Sequence, residues 1–316
     1  MASYPNSPER LPRTAVACAS RSSANRDAAR ERRPVGSVVC DVVKVWVNGA
    51  LRDERDASVA IFDHGLTVGD GVFEAVKVIG GVPFALTRHL DRLRRSAVGL
   101  GLGEPDLRVI RAGVAEVIDA AGNSTRARLR ITVTGGLSPL GSERGGGPLT
   151  IVVALGELRQ VEPVADVVTV PWVRNERGAL SGLKTTSYAE NVRAFAYARE
   201  RGASEAIFAN TAGNLCEGAG TNVFLAAQGR LVTPPLSAGC LAGVTRALAL
   251  EWCGADEWDV PLSALAEADE AFLTSTTRNV QPIRAVDGRA LPAAPGPLTR
   301  KAAAVFTERA AENPDP

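Results

Sequence analysis

The segment Gly178-Ala-Leu-Ser-Gly-Leu-Lys184-Thr-Thr-Ser-Tyr188-Ala-Glu-Asn191 places one lysine between a turn of small residues and a run with helical spacing. The chain has 36 basic residues but only four lysines, so 32 are arginines. An arginine in a protein neither loses its proton nor forms a Schiff base, whereas a lysine can do both. A lone lysine is more often solvated than reactive. A functional role for Lys184 can therefore be inferred only from the residues that surround it.

Composition narrows the class of protein. With 316 residues, 45% of them hydrophobic, and a net charge of +1, the chain resembles a soluble globular protein with room for two modest domains. This charge favours neither nucleic acid nor an anionic membrane as a partner, and no apolar run is long enough for a membrane helix. Two histidines leave little room for a histidine metal site, so we predict no metal. The five cysteines are odd in number and lack metal-like spacing, which favours a cytoplasmic location.

The hydrophobic pattern predicts an α+β fold in two halves, with hairpins rather than a regular βαβ alternation. Residues 1–40 are polar and are predicted to be a disordered tail. Residues 41–157 form the predicted smaller N-terminal domain, and residues 158–316 the larger C-terminal domain. Asn48-Gly49 predicts a tight hairpin turn, and Thr87 is the predicted N-cap of a helix with an apolar stripe.

Three features have the chemistry of a phosphate site. Gly243-Val244-Thr245 opens a helix, where free backbone N–H groups and the helix dipole attract anions. The run Thr274-Ser-Thr-Thr277 ends a strand with four hydroxyl groups, and Arg92 lies beside the apolar stripe of its helix. Each feature alone is common in proteins that bind no phosphate.

Glu217 lies between a short apolar strand and a glycine-rich turn, where a buried acid needs a cationic or hydrogen-bonding partner. A protonated pyridine nitrogen is such a partner. A lysine amine, a phosphate site and a lone carboxylate together match the aldehyde, phosphate and ring nitrogen of pyridoxal 5'-phosphate. Tyr188, four residues after Lys184, is within reach of the phenolic oxygen of that cofactor.

The chain from about residue 42 to 300 resembles the class IV (fold-type IV) pyridoxal-phosphate enzymes. This group contains branched-chain aminotransferases, D-amino acid transaminases and aminodeoxychorismate lyases. The matching segments occur in the family order: Val45-Trp-Val-Asn-Gly, Gly69-Asp-Gly-Val-Phe-Glu74, His89-Leu-Asp-Arg-Leu, Leu183-Lys-Thr-Thr-Ser-Tyr, Glu217-Gly-Ala-Gly-Thr-Asn-Val-Phe, Gly243-Val-Thr-Arg and Thr274-Ser-Thr-Thr.

The resemblance implies a fold and a set of roles. The fold is a small N-terminal α/β domain followed by a larger domain with a β-barrel-like core, in a homodimer whose active site lies at the domain boundary. Lys184 is the implied Schiff-base lysine and general base, and Glu217 holds the ring nitrogen. The implied phosphate ligands are Arg92, Val244, Thr245 and Thr276.

The branches of the family differ in how they bind substrate carboxylates. D-amino acid transaminases use a tyrosine, an arginine and a histidine at places that correspond here to Phe73, Gly135 and Leu137, which puts that activity in doubt. Branched-chain aminotransferases usually have the tyrosine five residues after the lysine, whereas Tyr188 follows after four.

Two segments resemble the lyases more closely. They are Ala179-Leu-Ser-Gly-Leu-Lys184, which leads up to the lysine, and Ala238-Gly-Cys-Leu-Ala-Gly-Val-Thr. Arg130 occupies a place where lyases carry a basic residue, and it either binds a substrate carboxylate or makes a surface ion pair. Thr277 is the second predicted substrate residue. Glu74 stands where some lyases have threonine, so the group that returns a proton to the pyruvyl methylene is unassigned.

The lead prediction is 4-amino-4-deoxychorismate lyase, which releases pyruvate and 4-aminobenzoate for folate biosynthesis. The alternative is a branched-chain or other class IV aminotransferase. A pyridoxal-phosphate protein that has lost catalysis is a third hypothesis, but every expected cofactor group is present.

Overall fold

The computed structural model describes residues 44–122 and 126–316. The predicted disordered tail, residues 1–40, lies outside the described residues. The strands are β1 (Val45–Val47), β2 (Ala50–Arg52), β3 (Gly71–Ile79), β4 (Val82–Pro83), β5 (Arg126–Thr134), β6 (Thr150–Glu157), β7 (Ala165–Arg174), β8 (Glu205–Asn210), β9 (Leu215–Gly218), β10 (Asn222–Ala227), β11 (Arg230–Thr233), β12 (Asp256–Glu257), β13 (Ala271–Ser275), β14 (Asn279–Val286) and β15 (Arg289–Ala290). The α-helices are α1 (His64–Thr67), α2 (Leu86–Leu100), α3 (Leu107–Ala121), α4 (Ala189–Glu200), α5 (Val244–Cys253), α6 (Ala264–Glu267) and α7 (Pro297–Glu312).

The first sheet is antiparallel, with strand order β2-β1-β6-β5-β3-β4. Its β1–β2 hairpin turns at Asn48 and Gly49, whose φ values of 47° and 93° give the left-handed turn that this dipeptide predicts. Strand β5 alternates buried apolar residues with exposed polar ones, because only one face of the sheet packs on α2 and α3. Leu129 and Ile131 lie in that core, whereas Arg128 and Arg130 lie on the opposite face.

The second sheet is mixed, with strand order β12-β11-β10-β13-β14-β7-β8-β9 and β15 paired to β14. Strand β7 is parallel to both β8 and β14, and helices α4, α5 and α7 cover the sheet with buried apolar side chains. The two sheets confirm the predicted α+β class. Since β6 ends at Glu157 and β7 begins at Ala165, we propose a domain boundary between residues 157 and 158.

Helix α2 starts one residue before the predicted N-cap, so the prediction that Thr87 caps it is wrong. The N-cap position is Ala85, which has a left-handed φ of 54° and no side-chain acceptor. The carboxylate of Asp315, near the C-terminus, instead accepts hydrogen bonds from the Thr87 backbone N–H at 2.8 Å and its hydroxyl at 2.6 Å. A distant part of the chain therefore accepts a hydrogen bond from a backbone N–H in the first turn of the helix that carries Arg92.

Candidate active site

The backbone of Lys184 is held by strand β3 and helix α2. The Phe73 N–H donates to the Lys184 carbonyl at 3.0 Å, and the Thr186 N–H donates to the Gly71 carbonyl at 2.7 Å. The Lys184 N–H donates to the Ser96 hydroxyl of α2 at 3.1 Å. These contacts place the Lys184 amine 4.3 Å from the centre of the Phe73 ring.

A cavity of about 860 Å³ opens around Lys184, a volume typical of a small-molecule site. Every site residue predicted from the sequence lines it: Lys184, Arg92, Tyr188, Glu217, Val244, Thr245, Thr276, Arg130 and Thr277. The structure thus brings together side chains that lie more than 180 positions apart in the chain, from Arg92 to Thr277. Their individual roles stay predictions.

The Lys184 amine is a weaker base than an ordinary lysine. Burial and the neighbouring Arg92 charge lower its pKa to about 8, against the opposing effect of Glu74 and Glu217. A substantial fraction of the amine is therefore neutral near physiological pH. Only the neutral amine can attack a carbonyl group or accept a proton.

The first turn of α5 forms one end of the cavity. Val244 and Thr245 are its first two residues, and their backbone N–H groups have no acceptor within the helix. A Cβ atom at the N-cap Gly243 would lie 2.0 Å from the Asn222 Oδ1, so a larger residue requires the Asn222 side chain or the turn to shift. Such an end is suited to a phosphate group.

Arg92 stands beside this turn and is oriented by Glu74. Its Nε and one terminal nitrogen donate to the two Glu74 oxygens at 2.7 Å each, and the other terminal nitrogen donates to the Ala242 carbonyl at 3.0 Å. Two of the five guanidinium N–H bonds remain for a ligand. His89 Nδ1 lies 2.7 Å from the same carboxylate, and its Nε2 lies 3.4 Å from the Thr276 hydroxyl.

Glu74 itself is fully buried and does not line the cavity. Burial alone would raise the pKa of this carboxyl, but the charges and hydrogen bonds of Arg92 and His89 lower it to about 2. Glu74 is therefore an ionised partner that holds Arg92 beside the first turn of α5. It cannot return a proton to a pyruvyl methylene in the cavity, where its neighbour Ala75 lies instead.

Glu217 lies in the cavity wall with a partner that sequence reasoning missed. The Leu241 N–H donates to Glu217 Oε2 at 2.9 Å, and Arg174 Nε lies 3.4 Å from Oε1. Burial raises the pKa of Glu217, while the Arg174 charge and the Leu241 N–H act against that rise. Sequence reasoning missed this partner because Arg174 is one of 32 arginines and lies 43 positions before Glu217. Its position at the end of β7 is the signal that could have identified it.

Tyr188 forms an aromatic wall with Phe73. The two rings meet edge to face with centroids 5.3 Å apart, next to the Lys184 amine. The Tyr188 hydroxyl donates to the Ala219 carbonyl at 3.2 Å, which leaves its oxygen free to accept a hydrogen bond. The predicted contact with the phenolic oxygen of a cofactor stays a prediction.

The cavity has the donor set that pyridoxal 5'-phosphate requires. The Lys184 amine, the first turn of α5 and the Glu217 carboxylate all line it. The lining thus offers one group each to the aldehyde, the phosphate and the ring nitrogen of that cofactor.

Among residues 44–122 and 126–316, none of the helices has the length and the apolar character that a membrane crossing requires. The same residues contain no group of three or more His, Cys, Asp and Glu side chains placed to hold a metal ion.

Comparisons with known proteins agree with one another on the kind of protein. The model of the family described as amino-transferase class IV matches residues 71–286. A Methanocaldococcus jannaschii protein with the provisional name branched-chain-amino-acid aminotransferase is 33% identical over 79% of this chain and 90% of its own. The D-alanine aminotransferase of Bacillus licheniformis is 31% identical over 82% of this chain and 94% of its own. The crystal structure of a branched-chain aminotransferase from Thermoproteus uzoniensis with norvaline has a TM-score of 0.78 and 31% identity, and covers 84% of this chain and 94% of that one.

Proposed function

Because this chain belongs to the class IV aminotransferase family, we propose that it transfers the amino group of a branched-chain L-amino acid to a 2-oxo acid. The protein is a pyridoxal-phosphate-dependent enzyme with the fold-type IV architecture. The observation that supports the proposal most is the aromatic wall of Phe73 and Tyr188 beside the Lys184 amine. An apolar wall next to the reacting amine suits an aliphatic side chain.

The lead prediction of an aminodeoxychorismate lyase gives way to the aminotransferase alternative. The similar proteins carry aminotransferase names, including branched-chain and D-alanine aminotransferases. The lyase reaction also requires a proton donor for the pyruvyl methylene. Glu74, the residue in question, is buried against Arg92 and His89 outside the cavity.

The site favours a branched-chain over a D-amino acid substrate. In D-amino acid transaminases, three residues bind the α-carboxylate of the substrate. Their places correspond here to Phe73, Gly135 and Leu137. A Cβ at Gly135 would lie 2.6 Å from the Asp70 carboxylate, and Leu137 is 58% exposed and lies outside the cavity lining. None of these residues provides a charged or hydroxyl group for that carboxylate.

The residues divide the work of the reaction. When bound, pyridoxal 5'-phosphate supplies an electron sink that makes the Cα proton of an amino acid labile. Lys184, with a pKa of about 8, would take that proton as the general base and would give a proton back later in the reaction. Arg92 and the first turn of α5 would hold the phosphate, and Glu217 would keep the ring nitrogen protonated.

A substrate panel tests the proposal. The purified enzyme is incubated with 2-oxoglutarate and, in turn, L-leucine, L-valine and D-alanine, and with aminodeoxychorismate in a separate reaction. We expect amino transfer to be fastest from L-leucine or L-valine. Transfer from D-alanine alone, or release of 4-aminobenzoate without any transfer, would refute it.

We also propose that the enzyme works as a homodimer. Four large apolar side chains are exposed, which is unfavourable for a surface that faces water. They are Ile61 (73% exposed), Phe62 (50%), Leu66 (66%) and Leu140 (72%). They belong to neighbouring segments, since the Ser138 N–H donates to the Phe62 carbonyl. Light scattering with size-exclusion chromatography should give twice the mass of 33.0 kDa. A monomer would exclude the proposal.

A further inference from the structure

One side of helix α2 carries three residues that lie one above the other. Arg92 and Ser96 are four positions apart and Gly99 follows three positions later, which places all three on the same helix face. Arg92 is buried and donates to the Ala242 carbonyl, next to the first turn of α5. That end of the cavity is called the phosphate end below. The same face of α2 therefore starts at the phosphate end and continues past it by two turns.

The Ser96 hydroxyl joins α2 to the backbone of Lys184. The Lys184 N–H donates to this hydroxyl at 3.1 Å in a partly buried position, and Ser96 itself is buried. On the other side, β3 holds the same residue, because the Phe73 N–H donates to the Lys184 carbonyl at 3.0 Å. A backbone N–H that is shielded from water is unfavourable without an acceptor. The serine hydroxyl thus fixes one of the two peptide groups that flank the lysine side chain.

Gly99 makes room for Leu183, the residue directly before the lysine. A Cβ atom at Gly99 would lie 2.7 Å from the Leu183 Cδ2 and 3.3 Å from its Cδ1, so a larger residue requires the leucine side chain to move. The backbone of Gly99 is helical, a conformation in which glycine is less stable than alanine. The close approach of Leu183 is therefore the feature that needs glycine. Leu183 and Lys184 rest on neighbouring positions of one helix face.

These contacts couple the position of the lysine to the phosphate end. The Lys184 amine lies 4.3 Å from the centre of the Phe73 ring, and it is close enough to Arg92 for that charge to lower the pKa of the amine. Since Arg92 and Ser96 belong to one helix, α2 sets the separation between the phosphate end and the backbone from which the lysine side chain extends. The phosphate and the aldehyde of pyridoxal 5'-phosphate are also at a fixed separation, because a rigid ring joins them.

We propose that Ser96 and Gly99 are positioning residues that hold Lys184 in register with the phosphate end, so that one pyridoxal-phosphate molecule reaches both. Neither residue lines the cavity, so they act through the Lys184 backbone and the Leu183 side chain. Their loss would leave the phosphate end intact and misplace the amine. The inference rests on the role proposed for Lys184 and does not depend on the amino acid substrate.

The test compares two ligands of the cofactor-free protein. Pyridoxal 5'-phosphate can condense with an amine, and its aldehyde oxygen then leaves as water. Pyridoxine 5'-phosphate has the same ring and phosphate but an alcohol in place of the aldehyde, so it binds without a covalent bond. Fluorescence titration gives a Kd for each, and the ratio of the two Kd values measures how well the amine meets the aldehyde. We expect the wild type to bind pyridoxal phosphate at least a hundredfold more tightly, and Lys184→Ala to lose this preference.

Ser96→Ala should reduce the ratio about tenfold, the equivalent of about one hydrogen bond, and should leave the Kd of pyridoxine 5'-phosphate within about twofold of the wild type. The variant should fold, because alanine favours a helix more than serine does. Ser96→Thr keeps the hydroxyl and should keep most of the ratio. An unchanged ratio in Ser96→Ala, or an equal loss of affinity for both ligands as in a loosened fold, would overturn the inference.

A pair of variants tests the space at Gly99. Gly99→Val fills the space that the Leu183 side chain occupies and should reduce the ratio about tenfold, a typical effect of overpacking. Adding Leu183→Ala to that variant should restore most of the ratio, because the smaller side chain no longer meets the valine. A loss that Leu183→Ala does not relieve, or no loss at all, would refute the part assigned to Gly99.

Ser187→Ala is the matched control, since it removes another serine hydroxyl from the lysine segment. That hydroxyl donates to the Gly69 carbonyl at 3.0 Å, and the same carbonyl also accepts from the Thr186 hydroxyl at 2.9 Å. Gly69 therefore keeps a partner in the variant, and the ratio should stay within about twofold of the wild type. Equal losses in Ser187→Ala and Ser96→Ala would overturn the inference.

Lys184→Ala separates the inference from the role on which it rests. A wild type that binds both ligands equally, as Lys184→Ala is expected to do, would refute the role proposed for Lys184 and the inference with it. A preference that disappears in Lys184→Ala but is unchanged in Ser96→Ala would refute the inference alone.

Discussion

Replacing Glu74 by glutamine is expected to destabilise the protein by about 3 kcal/mol. The carboxylate is fully buried and receives hydrogen bonds of 2.7 Å from Arg92 and His89. A pKa that falls from 4.5 to about 2 corresponds to about 3 kcal/mol, since one pKa unit is worth about 1.4 kcal/mol. Removal of one partner from a buried ion pair costs a similar amount, about 3–5 kcal/mol.

Urea unfolding of the cofactor-free protein measures this loss. The control is Glu251→Gln, which breaks the exposed pair that Glu251 forms with Arg88 at 2.6 Å and should cost less than about 1 kcal/mol. A Glu74→Gln variant that is no less stable than this control would refute the argument.

The pH dependence of the Glu74 contribution has a definite sign. Because the folded pKa lies below the unfolded value, the stabilisation is complete above about pH 4.5 and is lost as the pH falls through the folded value of about 2. The difference between wild type and Glu74→Gln should therefore be constant from pH 8 to pH 6 and should shrink only in acid. A difference that vanishes near neutral pH would mean that Glu74 is not held ionised.

Three further predictions concern the amine, the phosphate end and the cap of α2. In the cofactor-free protein, labelling of the Lys184 amine should increase with pH around a midpoint near 8, because the lowered pKa frees the neutral amine; a midpoint near 10 would contradict this. Gly243→Ala should weaken pyridoxal-phosphate binding at least tenfold in a fluorescence titration, because the new Cβ would strike Asn222; an unchanged Kd would contradict it. Asp315→Ala should lower the free energy of unfolding by about 1 kcal/mol through loss of the cap, whereas no loss would show that α2 does not need it.

The local geometry of the site was predictable from short segments of sequence. Asn48-Gly49 turns the first hairpin as predicted, and Gly243 opens α5 with Val244 and Thr245 in its first turn. Such motifs work over a few residues, where backbone preferences decide the outcome. The convergence of these segments on one cavity followed from the family resemblance.

Side-chain partners across the fold were not predictable in this way. Arg174 reaches Glu217 only because β7 and β9 flank the same strand, β8. Asp315 caps α2 from more than 200 positions away, in place of Thr87. Both pairings depend on tertiary packing, which a residue pattern read along the chain does not contain.

The choice between lyase and aminotransferase was the part of the function that the sequence alone predicted least well. Both activities share the amine, the phosphate site and the ring carboxylate, so the difference lies in a few cavity side chains. The segment around Lys184 favoured the lyase, but the similar proteins are named aminotransferases and Glu74 lies outside the cavity. A local resemblance at the lysine was outweighed by similarity along most of the chain.

The most direct test of the account follows the amino nitrogen itself. The wild type and Lys184→Ala are each incubated with pyridoxal 5'-phosphate, isotopically labelled L-leucine and 2-oxoglutarate, and the products are analysed by mass spectrometry. We expect labelled glutamate from the wild type and none from the variant. The account would be contradicted if the wild type formed no labelled glutamate but, in a separate reaction, released 4-aminobenzoate and pyruvate from aminodeoxychorismate.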